Sequence, residues 1–146
     1  MTSTKFMHSN LIIIKKDPYT GQTGYVREFY PKQITIKTDP YKSLEMKASY
    51  LLDGMAKIMK SNNIDFVKNQ MGGMFGFFFT SEMPNNFEDV VATSDSVFIK
   101  FLNACIANGV YFAPSKYEAG FISTQHDENI LNMVLEKIEL IVKEGL

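Results

Sequence analysis

Apolar residues recur at spacings of three and four in three separate stretches of the chain. Leu44, Ala48, Leu51, Met55 and Ile58 predict a helix running to about Lys60, with Leu52 and Met59 widening its buried face. Ser43 is placed to cap its start, Glu45 falls in its first turn, and Ser61-Asn62-Asn63 ends it. Val97, Phe98, Phe101, Leu102 and Cys105 predict a second helix, opened by Thr93 or Ser94, with Asp95 in its first turn and Asn108-Gly109 as its stop. Ile130, Leu131, Val134, Leu135, Ile138, Ile141 and Val142 predict a third, capped by Asp127 with Glu128 following and Lys143 near its end. These stripes are core-forming faces, and Cys105 on the second is read as a small apolar filler, not a nucleophile.

Between the helices the pattern changes to short apolar runs. Ile64 to Gln70 and Met74 to Thr80 predict two strands joined at Met71-Gly72-Gly73, where glycine permits a tight turn. The second run is almost wholly apolar, as a strand covered on both faces would be. Gly76 in its middle predicts close packing of something against the backbone. Val110-Tyr-Phe and Phe121-Ile-Ser predict a third and a fourth strand, and Ser81 to Val91 reads as a polar, turn-like connection. The expected fold class is α+β: a small antiparallel sheet of three to four strands packed by three helices. Helices explain the cover of one sheet face; the other must come from the N-terminal residues or from a partner.

Residues 1–42 form a distinct leader, and residues 43–146 the helix-and-sheet domain. Met1 to Asn10 is polar and expected to be mobile. Leu11 to Ile14 and Gln33 to Lys37 are weak strand signals, and Asp17-Pro-Tyr-Thr-Gly and Asp39-Pro40 read as breaks. Two short strands with loose connections cannot bury a core alone, so this segment is expected either to pack on the domain or to stay disordered. Tyr19, Tyr25, Phe29, Tyr30 and Tyr41 read as scattered surface aromatics in preference to a stacking platform for a ligand.

The chain has 146 residues, 45% of them hydrophobic, with 15 Lys and Arg against 16 Asp and Glu. That is one domain's worth of ordinary globular composition. No basic run points to nucleic acid or an anionic membrane, no apolar run approaches a membrane span, and no secretory signal pattern opens the chain. The single cysteine cannot form an intrachain disulfide, and a cytoplasmic location is the default.

Self-contained chemistry is scarce. His8 and His126 are far apart, and neither has metal-ligand spacing around it. His126, next to a helix start, is suited to satisfying a loop carbonyl or a helix-end amide. Dinucleotide and P-loop signatures are absent, and Ser115 lacks a nucleophile-elbow setting. Glu118, between Tyr117 and Ala119-Gly120, is either a solvated loop carboxylate or part of a pocket for a charged ligand.

The segments Gly72-Gly-Met-Phe-Gly-Phe-Phe-Phe-Thr, Asn86-Phe-Glu-Asp-Val and Gly109-Val-Tyr-Phe-Ala-Pro-Ser-Lys-Tyr-Glu-Ala-Gly-Phe-Ile-Ser-Thr-Gln-His resemble the C-terminal part of glutamate-1-semialdehyde 2,1-aminomutase. The resemblance runs from about Leu44 to Leu146. It implies the small domain of a fold-type I, class-III aminotransferase-like enzyme that uses pyridoxal phosphate, works as a homodimer, and makes 5-aminolevulinate for tetrapyrrole biosynthesis. It further implies that Glu118 is the small-domain glutamate that sets charge near the substrate, that Ser115 and Tyr117 lie on the loop positioning it, and that Ser123 and His126 are structural.

The departures carry expectations of their own. The family's Schiff-base lysine and its phosphate-gripping segments lie in a large domain with no counterpart in this sequence, residues before Leu44 do not match, and Asp127 stands where the family has Thr or Ser. The chain is thus expected to be a truncated or rearranged piece with an unrelated leader, to bind no pyridoxal phosphate alone, and to be inactive as an aminomutase by itself. The alternatives are a non-catalytic module that pairs with a separate large-domain polypeptide, a degenerate remnant, or a piece of another class-III aminotransferase.

Overall fold

In the computed structural model the chain divides into two units, Met1–Asp39 and Pro40–Leu146. The structure describes the backbone of residues 4–16 and 23–35 and all of residues 40–146. The first unit contains strands β1 (Thr4–Lys16) and β2 (Thr23–Thr35), paired antiparallel from Thr4 opposite Thr35 to Lys16 opposite Thr23. Strand thus extends through residues 4–10, expected to be mobile, and well beyond the short Leu11–Ile14 run. β-Propensity in a two-stranded ladder is spread over polar Thr, Ser and Lys positions that carry no apolar signal. The Asp17–Gly21 turn, Tyr19, Ile36, Lys37, Asp39 and the side chains of His8, Tyr25, Phe29 and Tyr30 lie outside the described residues.

The second unit runs α1 (Tyr41–Ser61), β3 (Val67–Met71), β4 (Met74–Phe78), α2 (Phe87–Ala92), α3 (Asp95–Ala107), β5 (Gly120–Phe121) and α4 (Glu128–Lys143). It is an α+β fold with one antiparallel sheet ordered β3-β4-β5. α1 begins two residues before the expected cap. Pro40 stands at the N-cap, no side chain closes it, and Ser43 lies inside the first turn. Proline needs no N–H partner there and its ring already fixes a helix-compatible φ. The centre of the buried stripe is Ala48, Leu52, Met55 and Met59, while Leu44 and Ile58 are only half-buried at its margins. α3 and α4 start where the sequence places them. Ser94 accepts the Val97 N–H and Asp127 the Ile130 N–H, at 3.4 and 2.9 Å.

β3 and β4 form a hairpin around Gly72-Gly73, closed by the Met71–Met74 pair. Gly72 has φ +59°, a conformation that favours glycine and makes the two-residue turn possible. Phe75, Phe77 and Phe79 point inward. Phe77 packs against the rings of Phe66, Phe98, Phe101 and Phe112 at centroid separations of 5.5 to 6.2 Å. Edge-to-face arrangements dominate, so the quadrupoles add to the burial energy. At Gly120 the tip of the Phe75 ring occupies the place of a Cβ, which would stand 2.3 Å from its Cζ. α1 and α4 approach closely across Gly54, where a Cβ would stand 2.5 Å from Leu135 Cδ1, and Tyr50 donates to Asn132 across the same seam. From α4, Lys137 Nζ donates to the Asn108 carbonyl at 2.6 Å and caps the end of α3.

Three expectations are corrected. Val110-Tyr-Phe does not join the sheet; the Val110 N–H is taken by the Cys105 carbonyl at 2.8 Å, as part of the turn that ends α3 at Gly109. Ser81–Val91 is not all loop, because α2 occupies its second half. Asn86 accepts the Asp89 N–H at 2.8 Å while the Asp89 carboxylate accepts the Asn85 N–H at 2.9 Å, a reciprocal cap on a helix with no buried residue and so no stripe to read. Third, nothing packs against Gly76: a Cβ there would meet no atom within 4 Å.

Candidate functional site

Gly76 is open because the outer face of the β3–β4 hairpin forms one side of a cleft of about 400 Å³. Met74, Gly76 and Phe78 alternate with the buried phenylalanines and so line it. Asn69, Gln70 and Met71 continue this wall on β3, and Phe87 and Val90 of α2 with residues 116–119 form the other.

Residues 115–118 make a tight turn. Ser115 Oγ accepts the Tyr117 N–H at 3.2 Å and the Ser115 carbonyl accepts the Glu118 N–H at 3.1 Å. This geometry sends consecutive side chains to different places. Lys116 is driven inward and its side chain is 4% exposed; Glu118 is exposed and lines the cleft. The Lys116 ammonium donates to the carbonyls of Thr93 and Val91 at 2.8 and 3.1 Å and lies 2.7 Å from the Asp95 carboxylate. It also sits 5.4 Å from the centre of the Tyr117 ring, which packs on Phe87 at 5.6 Å. On the opposite wall the Gln70 amide is fully engaged, donating to the Glu45 and Gly72 carbonyls and accepting from Ser49 Oγ.

The structure thus brings Tyr117 and Glu118 to the cleft, on a turn that Ser115 closes without lining it. Ser123 and His126 lie elsewhere. His126 Nδ1 accepts the Ser123 N–H at 3.2 Å and borders a separate apolar groove of about 450 Å³ beside α4, along with Tyr111, Phe121 and Ile130. Cys105 is fully buried, and burial pushes its thiol up to about 12, so at neutral pH it stays a protonated thiol inside the core. Among the described residues no group of three His, Cys, Asp or Glu side chains is placed to hold a metal ion. No helix among them is long and apolar enough to cross a membrane. Sequence reasoning did not single out Lys116 or α2: a buried lysine in a loop has no periodicity, and a six-residue helix with no inward face leaves none either.

Chemically the cleft offers one carboxylate beside aromatic and aliphatic surface. It can hold a cationic or hydrogen-bonding group against an apolar wall. Pyridoxal phosphate makes further demands that these residues do not meet. It needs an amine free to form a Schiff base, and the one lysine at the cleft has its ammonium spent on three oxygens. A phosphate also calls for positive charge, whereas Glu118 adds negative charge and the one cation at the cleft is already matched to Asp95.

No protein-family profile matches the chain. It is 36% identical over 104 residues to glutamate-1-semialdehyde 2,1-aminomutase of Polynucleobacter necessarius subsp. necessarius (strain STIR1), covering 71% of this chain and 24% of the relative. The aminomutase of Polynucleobacter asymbioticus is 35% identical over 107 residues, 73% of this chain and 25% of that one. The chain therefore spans about a quarter of the length of these curated relatives. Among solved structures it is similar to the FumI protein of Sphingopyxis sp. MTA144, determined as its PLP internal aldimine form, with TM-score 0.55 and 18% identity over 74% of this chain and 23% of that chain. At that identity the likeness speaks for the fold. Taken with the three-stranded antiparallel sheet and its packed helices, these matches establish that, over its C-terminal part, the chain is homologous to the glutamate-1-semialdehyde 2,1-aminomutases of the class-III pyridoxal-phosphate fold.

Proposed function

We propose that residues 40–146 are the small-domain unit of an aminomutase-type pyridoxal-phosphate enzyme, whose whole reaction converts glutamate-1-semialdehyde to 5-aminolevulinate for tetrapyrrole synthesis. In this reading the unit contributes a wall of the pocket and the Glu118 carboxylate, and a cofactor-bearing large domain contributes the rest. The observation that supports it is the placement of Lys116–Ala119, within the segment that resembles the aminomutase pattern, on a cleft that presents Glu118 beside the outer face of β4. The 146-residue chain alone is inactive in this reading, because pocket walls without a cofactor cradle do not orient or activate a substrate. A cytoplasmic setting goes with it, supported by the lone buried thiol.

A second reading is favoured by one feature: the outer face of β4 is apolar yet open. We infer a role as a module that pairs with a separate large-domain polypeptide, in an assembly that is a dimer of such pairs. One experiment addresses both. 5-Aminolevulinate formation is measured for the purified chain alone and after mixing with an aminomutase large-domain polypeptide that lacks its own C-terminal unit. Activity only in the mixture is expected. Turnover by the chain alone overturns the proposed inactivity; a silent mixture with no co-elution overturns the pairing.

A further inference from the structure

We propose that Lys116 is a positioning residue, a buried cationic clamp that fastens α2 and the start of α3 to the Ser115–Glu118 turn and so sets the width of the cleft. α2 has no buried residue and no apolar stripe holding it to the unit. Two of its attachments run through adjacent side chains. Phe87 rests on Tyr117, and the Val91 and Thr93 carbonyls at the end of α2 receive the Lys116 ammonium. The same nitrogen reaches Asp95 in the first turn of α3. The carbonyls at the α2 C-terminus carry negative partial charge and the Asp95 carboxylate at the start of α3 a full one, so one cation meets both. With Lys116 held, α2 stands opposite β4 and Glu118 is presented between them. With Lys116 gone, the oxygens at the α2–α3 corner lose their common partner, while the Phe87–Tyr117 ring contact remains.

The clamp bears on catalysis only through the reading of the cleft given above, but its geometry and its test stand apart from that reading. Limited digestion of the 146-residue chain with a glutamate-specific protease reports on α2 through the bond after Glu88 and on the rest of the unit through the bonds after Glu136 and Glu139 in α4. In Lys116→Met, cleavage after Glu88 is expected to speed up about tenfold while the α4 bonds stay within about twofold of the native chain. Asp95→Asn, which keeps the two carbonyl bonds, gives an intermediate rate. Amide resonances of Tyr117, Glu118 and Ala119 shift together with those of α2 in Lys116→Met, and those of α4 do not. An unchanged rate after Glu88 overturns the proposal. So does equal acceleration at Glu88, Glu136 and Glu139, which would make Lys116 a contributor to global stability alone. Neither measurement involves substrate or cofactor, so failure of the aminomutase reading leaves the clamp standing, and the reverse holds too.

Discussion

The two faces of strand β4 differ more than its sequence does. Phe75, Phe77 and Phe79 are buried among the rings of α3 and the 110–112 loop, whereas Met74, Gly76 and Phe78 line an open cleft. Both sets are apolar or small, and an almost continuous apolar strand normally means cover on both sides. Within this unit cover exists on one side only. The inner face accounts for stability, and the outer face is a surface whose apolar character is left over for something other than the unit's own folding.

Substitutions should separate the two faces. Phe77→Ala removes the ring on which the inner cluster converges, and a loss of ~3–5 kcal/mol in urea unfolding is expected. A loss under about 1 kcal/mol would mean the cluster is loosely packed. Behind that cluster, Cys105 tests how dry the interior is. Its thiol keeps its proton up to about 12 when folded but only to 9.0 when unfolded. The unfolded chain therefore releases a proton first as pH rises. Stability that is whole below pH 9 falls between pH 9 and 12, by roughly 1.4 kcal/mol per pH unit from this group. Cys105→Ala should flatten the alkaline stability profile by about that slope, and native Cys105 should resist thiol reagents at neutral pH until the chain is unfolded.

At Gly120, alanine would drive a Cβ into the Phe75 ring, with an expected cost of ~1–3 kcal/mol. Gly76→Ala is the outer-face counterpart. With no atom within 4 Å of the new methyl, the change should stay within about 0.5 kcal/mol of neutral, and equilibrium unfolding of the two alanine variants side by side measures the contrast. A Gly76→Ala loss as large as that of Gly120→Ala would show that the outer face is packed after all.

The helices were legible because α1, α3 and α4 each bury a face, and burial writes a period into the sequence. Even there, α1's stripe was displaced, since Leu52 and Met59 proved central where Leu44 and Ile58 had been expected. Gly72-Gly73 gave the hairpin turn, because few other residues close so short a loop. What failed was whatever depends on partners distant in sequence. Val110–Phe112 has the composition of a strand, but the turn after α3 takes its first N–H. Gly76 and Gly120 are both strand glycines, and only the folded chain distinguishes the one under a ring from the one in the open. Glu118 stood out as an acidic residue in a loop; that Lys116 two positions earlier turns the opposite way follows from the Ser115 turn, which composition does not reveal.

The seam between α1 and α4 has a consequence for how the chain is made. Gly54 receives Leu135 and Tyr50 meets Asn132, so the first helix of the unit is completed by its last. As synthesis proceeds from the N-terminus, the flank of α1 that carries Tyr50 and Gly54 emerges from the ribosome with its partner helix still untranslated. Hairpin and α3 contacts can form in the interval, but this seam closes only after α4 is released, which makes its packing a late event in the folding of the unit.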